Sequence, residues 1–236
     1  MAGCRAMDAN PFTARRIAPG AIPYRFDQTG QREALVEACL RLPAAAIVGP
    51  HGTGKTTLLC TLRWVLERRA GPVALLTLGD GATRGAAPPL PAGLGLPRAL
   101  VTQAAARPAW LVVDGFEQWG LWRRVRVVLG CRRAGVRLLV TAHGACGVPI
   151  VHRTAVTPRT VAAIHDGLVQ DRPTHVAVGD LALALERQGG NLREALFDCY
   201  DLHERGRSEP EICHRDASDR GGDAVAAMLP GPAERR

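Results

Sequence analysis

Lys55 is the only lysine in the chain, and it lies in the segment Gly49-Pro50-His51-Gly52-Thr53-Gly54-Lys55-Thr56. Every other basic residue of the 30 is an arginine. An ammonium group is a compact point charge on a thin stem, whereas a planar guanidinium is too broad to enter a tight anion site. A chain that otherwise uses arginine therefore indicates, by keeping one lysine here, a site where the two side chains are not interchangeable.

The spacing of the glycines around Lys55 indicates that the anion is a phosphate. Residues 49–56 fit the pattern G-x-x-x-x-G-K-[ST], the phosphate-binding P-loop or Walker A motif. Its glycines let backbone N–H groups surround the phosphates, and the N-terminus of the following helix favours negative charge. Lys55 is predicted to reach the β- and γ-phosphates, and Thr56 to bind Mg²⁺. The predicted nucleotide-binding residues are Gly49, Pro50, His51, Gly52, Thr53, Gly54, Lys55, Thr56 and Thr57.

A second ligand for the metal follows an apolar run further along the chain. Leu111-Val112-Val113 ends at Asp114, as a buried strand with an acidic residue at its carboxyl end. This is most of a Walker B element, whose aspartate holds Mg²⁺ directly or through water. An aspartate after a strand is equally an ordinary helix N-cap. The P-loop upstream favours the metal role, so Thr56 and Asp114 are the predicted metal ligands.

Three further segments accompany the two Walker elements. Asp114 is followed by Gly115-Phe116-Glu117, an apolar run ends in Thr141-Ala142-His143, and two glycines precede Asn191-Leu192-Arg193. Together with the P-loop, these segments resemble the AAA+ and STAND groups of P-loop ATPases over roughly residues 11–205. Asp-Gly-x-Glu is similar to the D-G-x-[DE] form of Walker B in STAND proteins.

The resemblance implies a catalytic role for each of these polar residues. Glu117 would orient or deprotonate the attacking water. Thr141, or His143 beside it, would be the first sensor residue, which contacts the γ-phosphate or the water. Arg193, in a G-N-x-R element at the start of a helix, would reach the γ-phosphate from a small helical lid. With Lys55, these are the predicted catalytic residues, and ATP and Mg²⁺ are the implied cofactors.

Each of these residues also has a purely structural interpretation. Glu117 suits the first turn of a helix because of the helix dipole. Thr141 could simply end a strand, and Asn191 could cap a helix after a glycine turn. In the ATPases that the chain resembles, the segment before the first helix often packs on adenine, so Tyr24 or Phe26 would stack there, but both are equally suited to a core.

The fold class predicted from the order of elements is α/β. Short apolar runs alternate with helical periodicity, which is typical of a parallel sheet with its ligand at the carboxyl ends of the strands. The resemblance implies a three-layer P-loop NTPase core with five parallel strands in the spatial order 5-1-4-3-2 and a C-terminal helical lid. The predicted strands are residues 44–48, 73–78, 110–113, 136–141 and 149–151.

The predicted helices and domain limits complete this scheme. Asp27 is expected to cap a helix over 28–42, and Pro158 to open one that ends near 169. Residues 79–97 are expected to form a mobile loop before a helix over 98–106. The core is predicted at 11–157 and the lid at 158–205, between disordered segments at 1–10 and 206–236. The other predicted helices are 56–69, 119–133, 180–187 and 191–205.

Composition sets the limits on location and partners. The 236 residues carry a formal net charge of +8, which permits a nucleic acid such as DNA or an acidic lipid as partner, but aromatic residues make up only 4%. The seven cysteines are scattered without a C-x-x-C pair, so neither a zinc site nor a disulfide framework is expected. No apolar run reaches 18 residues. A cytoplasmic protein without membrane contact is expected, with the protein partner and any oligomer unidentified.

Two other functions remain open from the sequence. One is a P-loop kinase for a small molecule or nucleotide, against which Glu117 and the G-N-x-R element argue. The other is a nucleotide-dependent interaction module with little turnover. The chain has no L-S-G-G-Q signature of ABC ATPases, and its single lysine excludes an N/T-K-x-D guanine motif outside the P-loop. ATP hydrolysis as a conformational switch is therefore the leading prediction.

Overall fold

A computed structural model of the protein describes residues 10–79, 82–84 and 109–208. Helices α1 to α7 are Ala14–Ile17, Gln31–Arg41, Lys55–Ala70, Leu121–Ala134, Pro158–Val169, Val178–Arg187 and Leu192–Ser208. Strands β1 to β6 are Ala44–Val48, Val73–Gly79, Ala82–Arg84, Trp110–Asp114, Arg137–Ala142 and Ile150–Arg153. A single 3₁₀ turn over Phe116–Gln118 joins β4 to α4. Residues 1–9 and 209–236 of the segments predicted as disordered at 1–10 and 206–236, residues 85–97 of the predicted loop, and the helix predicted at 98–106 lie outside the described residues. Residues 206–208, predicted as disordered, belong to α7.

The strands form one sheet in the order β3-β2-β4-β5-β1-β6. All neighbours pair in parallel except β3, which is antiparallel to β2. Without β3, and counted in chain order, this is the predicted arrangement 5-1-4-3-2, which the structure confirms. The strand β3 falls within the segment predicted as a loop and extends the edge of the sheet.

The sheet is buried on both faces, as continuous apolar strands require. Ala44, Ala46 and Val48 of β1 face a core that includes Val127 and Cys131 of α4. Ala45 and Ile47 alternate to the opposite face, where α2 and α3 pack. The three layers therefore hold β1 and the start of α3 in fixed relation, and the loop between them carries the glycine-rich motif.

The C-terminal helices α5, α6 and α7 form a third apolar cluster of their own. Leu168, Leu181 and Leu196 lie in this cluster together with Phe12 from the N-terminal segment. Thr157 caps α5 by accepting a hydrogen bond from the backbone N–H of Thr160 at 3.2 Å, and Pro158 opens the helix as predicted. Among the described residues, no helix is long and apolar enough to cross a membrane.

The predicted start of α2 is wrong. The helix begins at Gln31 after Gly30, whose φ of +80° lies in the left-handed region, and no side chain caps it. Asp27 instead accepts a hydrogen bond from the Thr157 hydroxyl at 3.0 Å, and its backbone carbonyl accepts one from Arg159. Asp27 therefore joins the N-terminal segment to α5, a tertiary contact that competes with local capping.

Candidate functional site

The P-loop joins the carboxyl end of β1 to the N-terminus of α3. Gly52 has φ of +70°, and a Cβ added there would lie 1.8 Å from Oδ1 of Asn191 in the turn before α7. Only glycine fits this close approach between the P-loop and the C-terminal helices. Gly52 therefore allows the turn before α7 to pack directly against the P-loop. The local sequence pattern does not indicate this contact.

Lys55 lies at the first position of α3 and turns its ammonium group back over the loop. Its Nζ donates to the backbone carbonyls of Gly49 and Pro50 at 2.7 and 2.6 Å. Burial lowers the pKa of Lys55, and the carboxylates of Glu117 and Asp114 oppose that change. The ammonium therefore lies among carbonyl dipoles and two carboxylates at the edge of the cavity, where an anion would compete for it.

Thr56 and Asp114 meet at the base of the site. The Thr56 hydroxyl donates to Oδ2 of Asp114 at 2.7 Å, and the buried Thr141 hydroxyl donates to Oδ1 at 2.5 Å. Thr141 also accepts from the backbone N–H of Gly115 at 2.9 Å. Because its hydroxyl is already used on both sides, Thr141 orients Asp114 in this structure, while also lining the cavity.

Glu117 is brought back to the cavity by a tight turn. Gly115 has φ of +82°, and a Cβ there would lie 2.8 Å from the Gln118 side chain. Glu117 Oε1 lies 2.8 Å from His143 Nε2, whereas its Oε2 is buried without a hydrogen-bond partner among the described residues. A buried acceptor without a partner is costly unless something else satisfies it, so Oε2 marks a position where water or a ligand group fits.

His143 connects Glu117 with the P-loop. Its Nδ1 lies 3.4 Å from Lys55 Nζ, and its ring is tilted by 38° against that of His51, with 3.7 Å between centroids. The Lys55 ammonium is a donor and the Glu117 carboxylate is an acceptor, so Nδ1 of His143 faces a donor and Nε2 faces an acceptor. The three side chains form one hydrogen-bonded series from Lys55 to Glu117.

Arg193 lines the same cavity from the start of α7. Its guanidinium lies 5.8 Å from the centroid of the Phe197 ring, and the side chain is exposed. Asn191 accepts from the backbone N–H of Glu194 at 3.4 Å, as an N-cap does. Arg193 has no ion pair within the described residues, and it lines the cavity together with the P-loop.

The cavity has a volume of about 460 Å³ and brings together every predicted catalytic residue. Gly49 and Pro50 lie behind it and contribute the carbonyls that bind Lys55. The cavity also extends past the P-loop into a less polar part between the N-terminal segment and the C-terminal helices. That part is lined by Ile17, Ile22, Tyr24, Val156, Ile164 and Leu196. One end is thus suited to phosphates and the other to a flat apolar group.

The residues at the base of the site fit a magnesium ion. A hydroxyl and a carboxylate 2.7 Å apart supply two oxygen donors on one side, and Mg²⁺ takes its other ligands from waters and phosphates. No group of three or more His, Cys, Asp or Glu that could hold a metal occurs in the described ranges.

Two contacts of the site were not predicted. Thr53 in the P-loop shares a hydrogen bond with Thr154 after β6 at 2.7 Å, although 101 residues separate them. Gln118 donates to the carbonyl of Leu78 at the end of β2 at 2.9 Å and lines the cavity. Both depend on which strands are neighbours, so no local signal in the sequence indicates them.

Tyr24, Phe26 and His152 form an aromatic cluster beside the P-loop. The Tyr24 and Phe26 rings meet edge to face at 5.0 Å, and the Tyr24 hydroxyl bonds His152 Nε2 at 3.2 Å. Burial raises the pKa of Tyr24 to about 12, with Asp27 adding to the effect, so this side chain stays neutral. Burial also lowers the pKa of His152, and the nearby charge of Asp27 opposes that change.

We expect His152 to make the folded state sensitive to acid. Its pKa is lower in the folded chain than the ordinary value of about 6.5, so the unfolded chain binds the proton more readily. The contribution is complete above that value and is lost as pH falls through the lowered folded pKa. Urea unfolding of the wild type should show a larger loss between pH 7.5 and 5.5 than His152→Asn. An equal loss would contradict this assignment.

No protein-family model matches the chain, and no curated protein matches it. Among solved structures, the Aeropyrum pernix Orc1 protein in complex with DNA has a TM-score of 0.55 and 15% identity over 84% of this chain. A DNA replication initiation factor has a TM-score of 0.48 at 14% identity over 78% of this chain, and DnaA of Aquifex aeolicus bound to AMPPCP one of 0.42 at 13% identity over 78%.

These likenesses concern the fold. The chain covers 65% of the Orc1 protein, 66% of the initiation factor and 68% of the Aquifex DnaA chain. Of the three, only the Orc1 comparison has a TM-score above 0.5, and it supports the architecture that the strand pairing shows. The chain therefore has an α/β P-loop NTPase fold with five parallel strands in the order 5-1-4-3-2.

Proposed function

We propose that this protein binds ATP with Mg²⁺ in the P-loop cavity and hydrolyses it to ADP and phosphate, as an AAA+-type ATPase. The observation that carries the proposal is the hydrogen bond between Thr56 Oγ1 and Asp114 Oδ2 at 2.7 Å, next to the ammonium of Lys55. A hydroxyl, a carboxylate and an ammonium at one helix N-terminus are the groups that a Mg²⁺–triphosphate requires.

Each side chain of the site has its own role toward the nucleotide, the metal or the attacking water. Lys55 exchanges the carbonyls of Gly49 and Pro50 for the β- and γ-phosphate oxygens, since a charged acceptor binds an ammonium more strongly than a neutral one. Thr56 and Asp114 would hold Mg²⁺, which neutralises the charge on those oxygens when bound. Glu117 presents a carboxylate toward the position of an attacking water, and Arg193 closes the cavity from the C-terminal helices.

The base of the nucleotide would lie in the less polar part of the cavity. Tyr24 lies so near Gly54 that an added Cβ there would be 3.4 Å from its ring, and it lines the cavity with Ile22 and Leu196. ATP is proposed over GTP, because the only lysine of the chain is already in the P-loop and no guanine motif can be written without one.

A second candidate function is nucleotide-dependent interaction with little turnover. The specific observation in its favour is the 2.8 Å contact between His143 Nε2 and Glu117 Oε1, which occupies one of the two oxygens of the carboxylate that would act on water. DNA is a further proposed partner, since the Orc1 structure contains DNA. Adding duplex DNA to the turnover assay tests whether this chain responds to it.

The experiment that tests the proposal compares Thr56→Ala with Thr56→Ser. We expect Mg²⁺ to increase the affinity of the wild type for a fluorescent ATP analogue. In Thr56→Ala, this Mg²⁺-dependent increase should be about tenfold smaller than in the wild type. Thr56→Ser keeps the hydroxyl and should keep the gain. Phosphate release without an added acceptor supports hydrolysis, whereas ADP formation only with an acceptor would identify a kinase. Affinity unaffected by Mg²⁺ in the wild type would refute the metal site.

A further inference from the structure

The charge of the chain is concentrated in one segment. Residues 118–165 contain eight arginines and no aspartate or glutamate. The 22 basic and 22 acidic residues elsewhere cancel, so this segment carries the entire formal net charge of +8. Five of the eight arginines lie on α4, which packs on the sheet on the face opposite to α2 and α3.

The side of α4 that faces away from the sheet exposes large apolar side chains. Leu121 and Trp122 are 63% and 82% exposed, and Val125 and Leu129 are 40% and 42% exposed. Residues 121, 125 and 129 follow one another at intervals of four, and Trp122 lies three residues before Val125, so the four side chains form one continuous stripe. We call this stripe, with the exposed Arg126 and Arg133 beside it, the outer face of α4.

Three arginines of the other sheet-packing helices have carboxylate partners. Arg32 and Arg63 pair with carboxylates within their own helices, and Arg69 pairs with Glu37 across α2 and α3 at 2.7 Å. In the described part of the chain, no arginine of α4 has a carboxylate within 4.0 Å. The outer face of α4 therefore presents unneutralised positive charge around an exposed apolar stripe.

This combination fits a protein partner with acidic side chains. Tryptophan and arginine are enriched, and Asp, Glu and Lys are depleted, at the centres of protein–protein interfaces. An aliphatic row at four-residue spacing matches the ridge of a second helix, whereas nucleic acid offers phosphates and base faces that Leu121, Val125 and Leu129 do not recognise. The 14 residues of α4 span about 21 Å, so a partner helix of similar length covers the stripe.

We propose that the outer face of α4 docks an acidic amphipathic helix of a partner protein. The apolar ridge of that helix packs on Trp122, Val125 and Leu129, and its flanking carboxylates pair with Arg126 and Arg133. The proposal is independent of ATP binding, because none of these side chains lines the P-loop cavity. The helix α4 that carries this face begins four residues after Glu117, following the 3₁₀ turn and Trp119.

The test is selection from a phage-displayed library of random 20-residue peptides on the immobilised full chain. We expect enrichment of acidic peptides with apolar residues at intervals of three and four. Their affinity should fall about tenfold or more in Trp122→Ala and in Arg126→Glu/Arg133→Glu, and it should weaken as salt rises. Trp64→Ala is the matched control, since Trp64 is an exposed tryptophan beside Arg68 on α3 and should leave affinity unchanged.

Several results would overturn the proposal. These are absence of enriched peptides, enrichment of peptides without acidic residues, and affinities that Trp122→Ala does not change. A 20-nucleotide single strand, a 20-base-pair duplex and sedimentation of the protein alone are measured in parallel. If Trp122→Ala weakens only oligonucleotide binding or only self-association, the face belongs to nucleic acid or to a second copy. Thermal melting of each variant confirms that these exposed substitutions leave the fold intact.

Discussion

Replacing Lys55 with arginine should abolish nucleotide binding as thoroughly as replacing it with alanine. Lys55 Nζ sits 2.7 and 2.6 Å from two carbonyls of the P-loop, and a guanidinium of greater breadth cannot occupy the same position. Each charge-assisted hydrogen bond to phosphate contributes about 1.5–3 kcal/mol, so losing two corresponds to a decrease in affinity of about 100-fold or more. Titration with a fluorescent ATP analogue measures the change.

The pair of variants separates geometry from charge. Lys55→Arg keeps a positive charge near Glu117 and Asp114, whereas Lys55→Ala leaves both carboxylates without it. If charge alone were responsible, the arginine variant would bind nearly as well as the wild type, and that result would contradict the phosphate role assigned to Lys55. Melting temperatures without nucleotide provide the control for folding.

The preference for lysine at this one position is the part of the site that the sequence predicts most directly. A P-loop is a local motif, so its glycines, Lys55 and Thr56 can be identified without the fold. The strands could also be predicted, because apolar runs such as 110–113 are separated by helical periodicity and turn residues. The strand order followed from the family resemblance, and the structure confirms it.

The contacts between distant segments could not be predicted in the same way. The prediction that Asp27 caps α2 is wrong. Its carboxylate accepts a hydrogen bond from the hydroxyl of Thr157, 130 residues away. The sequence predicts Thr141 as a sensor of phosphate, whereas in the structure its hydroxyl donates to Asp114. This contact depends on the pairing of β4 with β5, which no local pattern indicates. The short strand β3 has three residues in a segment rich in small residues, and antiparallel pairing with β2 rather than local propensity defines it.

Replacing Glu117 with glutamine should leave ATP binding intact and lower the rate of phosphate release by about 100-fold or more, the range typical of a lost general base. Glutamine has nearly the same shape, and its carbonyl oxygen can still accept from His143 Nε2, so the site should keep its geometry. The substitution removes the Glu117 charge, which raises the pKa of Lys55, but the hydrogen bonds from Lys55 to phosphate remain. Single-turnover phosphate release with saturating ATP separates the chemical step from binding.

Unchanged release in Glu117→Gln would exclude Glu117 as the base. If the wild type also releases no phosphate while binding ATP, the contact with His143 describes a resting site, and the protein acts through nucleotide binding alone.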